Sequence, residues 1–383
     1  ALFFPGPHSY TGEDVLELHG HGGAVITRLL LERCVTLGAR IAEPGEFTRR
    51  AFLNGKLDLA QAESVIDLID ASTASAARSA TRSLRGEFSQ KIQKLSEKLL
   101  ELRALVEATL DFPEEEIDVI HQADAQARLE YICRALNAVL DTAQQGRLLR
   151  EGSRVVLAGR PNVGKSSLLN KLAGESVAIV TDVPGTTRDT VREVLSIDGV
   201  PFHIIDTAGL REARDPIEAL GIDRTRKAIE SADIVVVVQD ASSGETEDDR
   251  HIIASLPAGP RRIRVMNKVD LLARAASQER LGDDTLIWLS AKSGAGLGLL
   301  HTALLETTGW HATSEAVFLA RARHIEALQR ANRHLALAQA RTGDAELFAE
   351  ELRLAHEALG SILGRVTADE VLSEIFSRFC IGK

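Results

Sequence analysis

An α/β domain with a mostly parallel sheet, inserted into a helical bundle, is the fold class this sequence predicts. Three observations predict it. Residues 151–312 alternate short apolar runs with helix-like stretches, the pattern of a parallel sheet covered by helices on both faces. In the stretch before it, Phe88, Ile92, Leu95, Leu99, Leu102 and Val106 recur at spacings of four and three, a heptad-like seam for packing helix on helix. After it the helical pattern returns, with Phe318, Ile325, Leu328 and Leu335 on one face, followed by stretches at 347–363 and 371–379. Helices on both sides of an α/β segment make that segment an insertion into one bundle.

The order of elements follows. Residues 1–50 mix Gly, Pro and His with short alternating runs such as Val15-Leu-Glu-Leu18, which reads as a small α/β unit. Residues 51–150 together with 313–383 are expected to form the helical domain, and 151–312 the inserted domain. Pro113 and the acidic run Glu114-Glu-Glu116 are expected to form a solvated loop within the first helical stretch. The sequence contains no internal repeat and no low-complexity tract.

Composition sets outer limits. At 383 residues, the chain is long enough for two or three domains with sizeable cores. Hydrophobic residues make up 44% and charged residues 26%, and the mean hydropathy of −0.03 fits a globular, water-facing chain. Uninterrupted apolar runs such as Ile234 to Val238 have the length of a buried strand and are far too short for a membrane span. The three cysteines, Cys34, Cys133 and Cys380, show neither pairing nor metal spacing, which points to a reducing cytoplasm. A net charge of −10 argues against nonspecific coating of nucleic acid, while leaving room for a local basic patch. The first residues carry no charged segment of the signal-peptide type, and a further amino-terminal segment is expected before Ala1.

The chemistry starts at Gly159-Arg-Pro-Asn-Val-Gly-Lys165-Ser166, a G-x-x-x-x-G-K-S pattern. It follows the apolar run Val155 to Ala158 and precedes a helix-like stretch, Ser167 to Ala173. The glycines let successive N–H groups turn inward toward phosphate oxygens, and the helix start adds its positive end. Lys165 suits the β/γ-phosphates, and Ser166 offers a hydroxyl to Mg²⁺. Four further segments follow in order. Gly185-Thr-Thr-Arg-Asp189 lies in a loop, and its Thr187 can complete the Mg²⁺ shell. Asp206-Thr-Ala-Gly209 ends the strand-like run Phe202 to Ile205, where Asp206 suits Mg²⁺ through water and the Gly209 N–H suits the γ-phosphate. Asn267-Lys-Val-Asp270 ends the run Arg262 to Met266, and a carboxylate at Asp270 can accept two N–H bonds from the guanine edge, which adenine does not offer. Ser290-Ala-Lys292 follows Leu286 to Leu289 and would buttress the base. Each segment alone is weak; five in sequence resemble the small GTPase domains of the translation-factor class, a Ras-like P-loop fold.

One departure from the Ras pattern is informative. The position that holds a water-orienting Gln in Ras is Leu210 here, which cannot orient water. Glu218, in the charged stretch from Arg211 to Arg226, is a candidate for that role; the alternative is a solvated charge. Asn162 inside the phosphate loop offers a carboxamide oxygen to a monovalent cation. With carbonyls near Thr181 and Val183, it can hold K⁺ where an arginine finger sits elsewhere; the alternative is that Asn162 only caps the loop.

Three flanking features are similar to one family, the bacterial and organellar tRNA modification GTPases (MnmE, also called TrmE). They are Pro7-His-Ser-Tyr-Thr-Gly-Glu-Asp14 with His19-Gly-His-Gly-Gly23, the stretch from Pro44 to Glu63, and the terminus Phe379-Cys-Ile-Gly-Lys383. The resemblance runs from the first residue to the last. It implies K⁺ held by Asn162 and carbonyls of Thr181, Val183 and Thr186, and Mg²⁺ held by Ser166 and Thr187. Nucleotide contacts are implied at Asn162, Val163, Gly164, Lys165, Ser166 and Ser167, then at Thr181, Asp182, Val183, Pro184, Gly185, Thr186 and Thr187. They continue at Asp206, Thr207, Ala208 and Gly209, at Asn267, Lys268 and Asp270, and at Ser290, Ala291 and Lys292. Glu218 becomes the water-orienting residue, with Lys165 beside it in catalysis. Residues 1–50 become the remainder of a folate-binding, dimer-forming domain, and Glu17, Lys56 and Lys383 become contacts of a 5-formyl- or methylene-tetrahydrofolate, whose anionic tail suits lysine.

The same resemblance implies a homodimer whose GTPase domains meet across the nucleotides when K⁺ and GTP are bound. It also implies a heterotetramer with the flavoprotein MnmG (GidA). The product would be a carboxymethylaminomethyl or aminomethyl group at the fifth carbon of a tRNA wobble uridine. Similar proteins need the cysteine matching Cys380 for this modification, and its role here is open between nucleophile, thiolate contact and structural residue. His8, His19 and His21 read as loop histidines rather than a metal site, because they lack Cys or carboxylate partners at ligand spacing. A different class, the nucleotide-switched ribosome-assembly GTPases, shares the five segments. Such a factor has no reason to carry Cys380, Lys56 and Lys383, and would be expected to add a basic RNA-binding module. Basic residues here form only short clusters, Arg49-Arg50, Arg147 with Arg150 and Arg154, and Arg261-Arg262.

Overall fold

A computed structural model describes residues 1–111, 118–175, 177–179, 193–206, 229–257, 259–311, 317–365, 372, 375–377 and 379. The elements begin with β1 (Leu2–Phe4), β2 (Val15–Glu17), α1 (Ala24–Thr36), α2 (Glu46–Leu53), α3 (Leu59–Ile69), α4 (Ala74–Leu84), α5 (Glu87–Asp111) and α6 (Asp118–Glu151). Then come β3 (Ser153–Ala158), α7 (Lys165–Glu175), β4 (Val177–Ile179), β5 (Glu193–Ile197), β6 (Val200–Asp206) and β7 (Ile234–Asp240). The chain continues with α8 (Glu247–Ser255), β8 (Arg261–Asn267), β9 (Ser277–Leu281), β10 (Asp284–Trp288), α9 (Leu297–Thr308), α10 (Ala322–Ala340) and α11 (Ala345–Leu363). Two compact units result: residues 1–70, 78–144 and 318–383, and residues 71–77 and 145–317.

The first unit is built on the helical seam. Phe88, Ile92, Leu95, Leu99, Leu102 and Val106 of α5 are all buried, in one cluster with Leu129, Ile132 and Leu136 of α6, Leu328 and Leu335 of α10, and Leu352 and Leu359 of α11. Each fully buried leucine contributes about 1.5–3 kcal/mol. Phe88 and Phe318 stack with ring centroids 4.6 Å apart. A capping box starts α3: the Asp58 carboxylate accepts the Gln61 N–H at 2.9 Å, and the Gln61 side chain accepts the Asp58 N–H at 3.0 Å. The smaller α/β part is looser than a packed unit. β1 and β2 pair antiparallel as a two-stranded ribbon, and none of α1 is buried, with Val25 65% exposed and Leu29 56%. Two short strands offer too little face to cover a helix.

A charged cluster lies inside this unit. Glu63 of α3, 1% exposed, accepts two hydrogen bonds from Arg323, at 2.8 and 2.6 Å, and one from His324 Nε2 at 2.9 Å. Arg323 also donates to the carbonyls of Ser361 and Ile362. Arg321 donates to Asp67 at 2.7 Å and to the Glu63 carbonyl at 3.1 Å. The Arg321 N–H donates to His324 Nδ1 at 3.2 Å, so that nitrogen carries the lone pair and Nε2 carries the proton.

The second unit is an eight-stranded sheet in the order β4-β5-β6-β3-β7-β8-β10-β9. The centre, from β6 to β10, is parallel, while β4, β5 and β9 are antiparallel at the edges. β7, Ile234-Val-Val-Val-Val-Gln-Asp240, is buried along all but its last residue, as a strand covered on both faces requires. Asp198 and Gly199, both at positive φ (49° and 84°), turn β5 into β6. β3, β6 and β8 end at Ala158, Asp206 and Asn267, so the parallel strands deliver these segments at their carboxyl ends.

Candidate functional site

The loop between β3 and α7 is shaped by three residues at positive φ: Gly159 (139°), Asn162 (63°) and Gly164 (98°). A Cβ at Gly159 would stand 2.2 Å from the Val238 carbonyl oxygen, so β7 passes too close for any side chain. A Cβ at Gly164 would stand 2.3 Å from Asn267 Nδ2. Asn tolerates the left-handed region where most residues do not. Lys165 opens α7, is 7% exposed, and donates through Nζ to the carbonyls of Gly159 and Arg160, each at 2.7 Å. Its ammonium is therefore centred in the curl of the loop. Ser166 and Ser167 are exposed on the first turn of α7.

A chain of hydrogen bonds ties this loop to the segments after β8 and β10. Asn267, 2% exposed, donates through Nδ2 to the Val163 carbonyl at 2.9 Å and accepts the Ala291 N–H at 2.9 Å. Lys268 donates to the Asn162 carbonyl at 2.9 Å and to Asp240 at 2.6 Å. Burial pushes the Asp240 carboxyl up, but the Lys268 and Ser242 hydrogen bonds outweigh it and leave it below the usual aspartate range. The Ser290 hydroxyl, fully buried, donates to Asp270 at 2.6 Å and accepts the Ser293 N–H at 3.2 Å. Asp270 and Lys292 are exposed, so the Asp270 carboxylate is oriented from behind and open in front. Three of the five sequence segments thus meet in one hydrogen-bonded frame.

The sequence reading missed the residues that brace the frame. Arg160 donates to Asp249 at 3.0 Å and to Ser243 at 3.3 Å. Asp249 sits in the capping box of α8: Thr246 Oγ1 accepts the Asp249 N–H, and Asp249 accepts the Thr246 N–H. Burial raises the Asp249 carboxyl, and hydrogen bonds from Thr246 and Arg160 bring it below the ordinary value. The spacing Thr246-x-x-Asp249 ahead of a helical run is a signal legible in sequence. Asp240 carried no such signal; its role depends on the register that sets β7 beside β8.

The Asn162 carboxamide is exposed and makes no hydrogen bond among the described residues, which leaves the loop-cap alternative without a side-chain contact. Thr181, Asp182, Val183, Pro184, Gly185, Thr186, Thr187, Thr207, Ala208, Gly209, Leu210, Glu218, Cys380 and Lys383 lie outside the described residues, as does the side chain of Asp206. So do Pro113 and the Glu114 to Glu116 run. In the other unit, Glu17 ends β2 and accepts a hydrogen bond from His19 Nε2 at 2.9 Å. Lys56, after α2, is exposed and donates to the Pro7 carbonyl at 3.0 Å.

Residues 59–380 match the family model described as the MnmE helical domain, and residues 1–56 match that of the GTP-binding protein TrmE N-terminus. The tRNA modification GTPase MnmE of Dechloromonas aromatica (strain RCB) is 58% identical over 386 residues, covering 100% of this chain and 86% of that protein. The protein of that name from Thiobacillus denitrificans (strain ATCC 25259 / T1) is 59% identical over 383 residues, covering 100% and 85%. Among solved structures, the G domain of the T. maritima FeoB iron transporter is 28% identical, covering 40% of this chain and 98% of that one, with a TM-score of 0.30.

Proposed function

The chain belongs to the tRNA modification GTPase MnmE family, and from that premise we propose a K⁺-dependent GTPase that modifies the wobble uridine of tRNA with a folate-derived carbon. It is a P-loop GTPase of tRNA modification. The observation that carries the nucleotide half is the frame linking Val163, Asn267 and Ala291, with Asp270 set behind by Ser290. The phosphate loop holds the terminal phosphates, and the Asp270 carboxylate reads the guanine edge.

The donor chemistry suits the expected cations. Ser166 presents a hydroxyl and Asn162 a carboxamide oxygen, both exposed on the phosphate loop, and hard cations prefer oxygen. Ser166 with Thr187 would hold Mg²⁺; Asn162 with carbonyls of Thr181, Val183 and Thr186 would hold K⁺. These ions supply positive charge beside the β- and γ-phosphates when bound. Glu218 orients the attacking water in place of the residue that Leu210 cannot be. Glu17, Lys56 and Lys383 would contact a reduced folate; the exposed Lys56 ammonium and Glu17 carboxylate suit a ligand with both acidic and amino groups. Cys380 serves the modification chemistry.

The domain assignment follows: residues 1–50 folate-binding and dimer-forming, 51–150 with 313–383 helical, and 151–312 the G domain. Two such G domains pair across their nucleotides in a homodimer. With the flavoprotein MnmG, the dimer installs the carboxymethylaminomethyl or aminomethyl group in the cytoplasm. GTP loss releases the loops that the γ-phosphate orders, which opens the pair.

Two measurements test this. Asp270→Asn removes the charged acceptor of two guanine N–H bonds, and GTP affinity is expected to fall about 100-fold, with xanthosine triphosphate, which offers a carbonyl instead, gaining. Unchanged GTP affinity would remove the base-reading role. Calorimetry of 5-formyltetrahydrofolate against the full chain is expected to give a binding isotherm that Lys56→Ala weakens; absence of heat in the full chain would remove the folate donor.

A further inference from the structure

α2 and α3 carry a feature that the nucleotide chemistry does not use. They form a seat for the end of the chain. Leu372, Ile375, Phe376 and Phe379 are buried in one cluster with Leu59, Ala62 and Ile66 of α3, and Phe52 of α2 packs against them. Ring centroids of Phe52 and Phe376 lie 6.3 Å apart, and those of Phe376 and Phe379 5.5 Å apart. The Phe379 N–H donates to the Phe376 carbonyl at 3.1 Å, so the segment turns within the seat.

The closest approach is made by Gly45, which caps the start of α2 at φ 67°. A Cβ there would stand 2.7 Å from the Phe376 carbonyl oxygen and 2.9 Å from Phe379 Cβ. Ordinary core packing between side chains does not require this. Here backbone meets backbone, and only glycine permits it. Chain ends fray unless they are tied down. This tie falls at Phe379, one residue before Cys380, and consecutive Cα atoms are about 3.8 Å apart.

We propose that Gly45, Phe376 and Phe379 are positioning residues for tRNA modification, seating the segment that presents Cys380. The inference rests on the reading of Cys380 as a residue of that chemistry. A misplacement of about 1 Å can cost about 100-fold in rate, so small changes in the seat have a large readout.

The test uses the full chain with its flavoprotein partner and substrate tRNA, and compares Gly45→Ala, Gly45→Asn, Phe379→Ala, Phe379→Leu and Cys380→Ser. Modification rate at saturating tRNA, GTP turnover and thermal melting are read for each. Alkylation of Cys380 by iodoacetamide is read in a Cys34→Ser, Cys133→Ser background. Gly45→Asn tolerates the positive φ but keeps the collision, which separates backbone strain from lost space. Both Gly45 variants and Phe379→Ala are expected to lose about 10- to 100-fold in modification rate, with an altered alkylation rate, unchanged GTP turnover and a folded melting profile. Phe379→Leu, which refills the seat, is expected to recover most of the rate. Gly45→Ala and Phe379→Ala modifying at the wild-type rate beside an inactive Cys380→Ser would overturn the positioning role. A fully active Cys380→Ser would overturn the reading of Cys380 itself. Loss of GTP turnover or of the melting transition in all seat variants, Phe379→Leu included, would reduce the seat to a folding element and overturn the proposal.

Discussion

GTP turnover is expected to be at least about tenfold faster in KCl than in NaCl at equal ionic strength, and Asn162→Ala is expected to erase the difference; tenfold is about 1.4 kcal/mol in the barrier. The demand is modest, since an arginine finger supplies about 10³–10⁵ in other GTPases. The local geometry of Asn162 suits that role. Its carbonyl is pinned by the Lys268 ammonium at 2.9 Å, its backbone sits at φ 63°, and its carboxamide stays exposed. A fixed main chain and an uncommitted side-chain oxygen are what an ion ligand needs, because little ordering remains to be done on binding. Alanine at positive φ adds strain of about 1–2 kcal/mol, which would loosen the loop for reasons unrelated to the cation. Asn162→Gly removes the carboxamide without that strain and is expected to give the same salt-independent rate. Separate kcat and KM values decide the cause, for a loosened loop raises KM while a missing ligand lowers kcat. Equal wild-type rates in the two salts would leave an ordinary slow switch.

Much of the fold and the phosphate loop is legible in the sequence alone. The phosphate loop declared itself because its glycines and lysine are dictated by local backbone shape, and that shape needs no distant partner. The α5 seam was legible for the same reason: its spacing of three and four is a property of one helix. The antiparallel edges were not read. β9 alternates exposed polar residues and has no apolar face to betray it, being Ser277-Gln-Glu-Arg-Leu281. Yet the Asp198-Gly199 turn and the two-residue Gly282-Asp283 turn were both recognisable hairpin signals. Glu63 was invisible for a deeper reason. Its partners are some 260 positions away, at Arg323 and His324, and a glutamate inside an amphipathic helix reads as solvent-facing. The same holds for Gly45, whose neighbours are Phe376 and Phe379 at the far end of the chain.

Glu63→Ala is expected to destabilise the helical unit by about 3–5 kcal/mol, because it leaves the Arg323 guanidinium part-buried without its counter-charge. For a folding unit of this size that lowers the melting temperature by about 6–20 °C. Glu63→Gln keeps an acceptor for the His324 Nε2–H but not the charge, and is expected to fall between the two. The pH dependence follows from two groups. Burial alone would raise the Glu63 carboxyl; the hydrogen bonds of His324 and Arg323 and the Arg323 charge outweigh it and hold it well below the usual carboxylate range. A depressed folded value means stability that is present above the unfolded value of about 4.3 and is lost as the pH falls through the folded one. Burial, followed by the Arg323 charge, lowers His324, so it stays neutral in the fold. The unfolded chain takes up that proton below about pH 6.5 and the folded one does not, which again favours unfolding in acid. Melting temperatures of the wild type are therefore expected to fall from about pH 6.5 downward and more steeply below about pH 4.3. The second, steeper phase is expected to be shallower in Glu63→Ala, since one of the carboxyls that cause it is gone. A variant that melts with the wild type at neutral pH would show that Asp67 alone suffices for the arginines, and the central role of Glu63 in this cluster would fall.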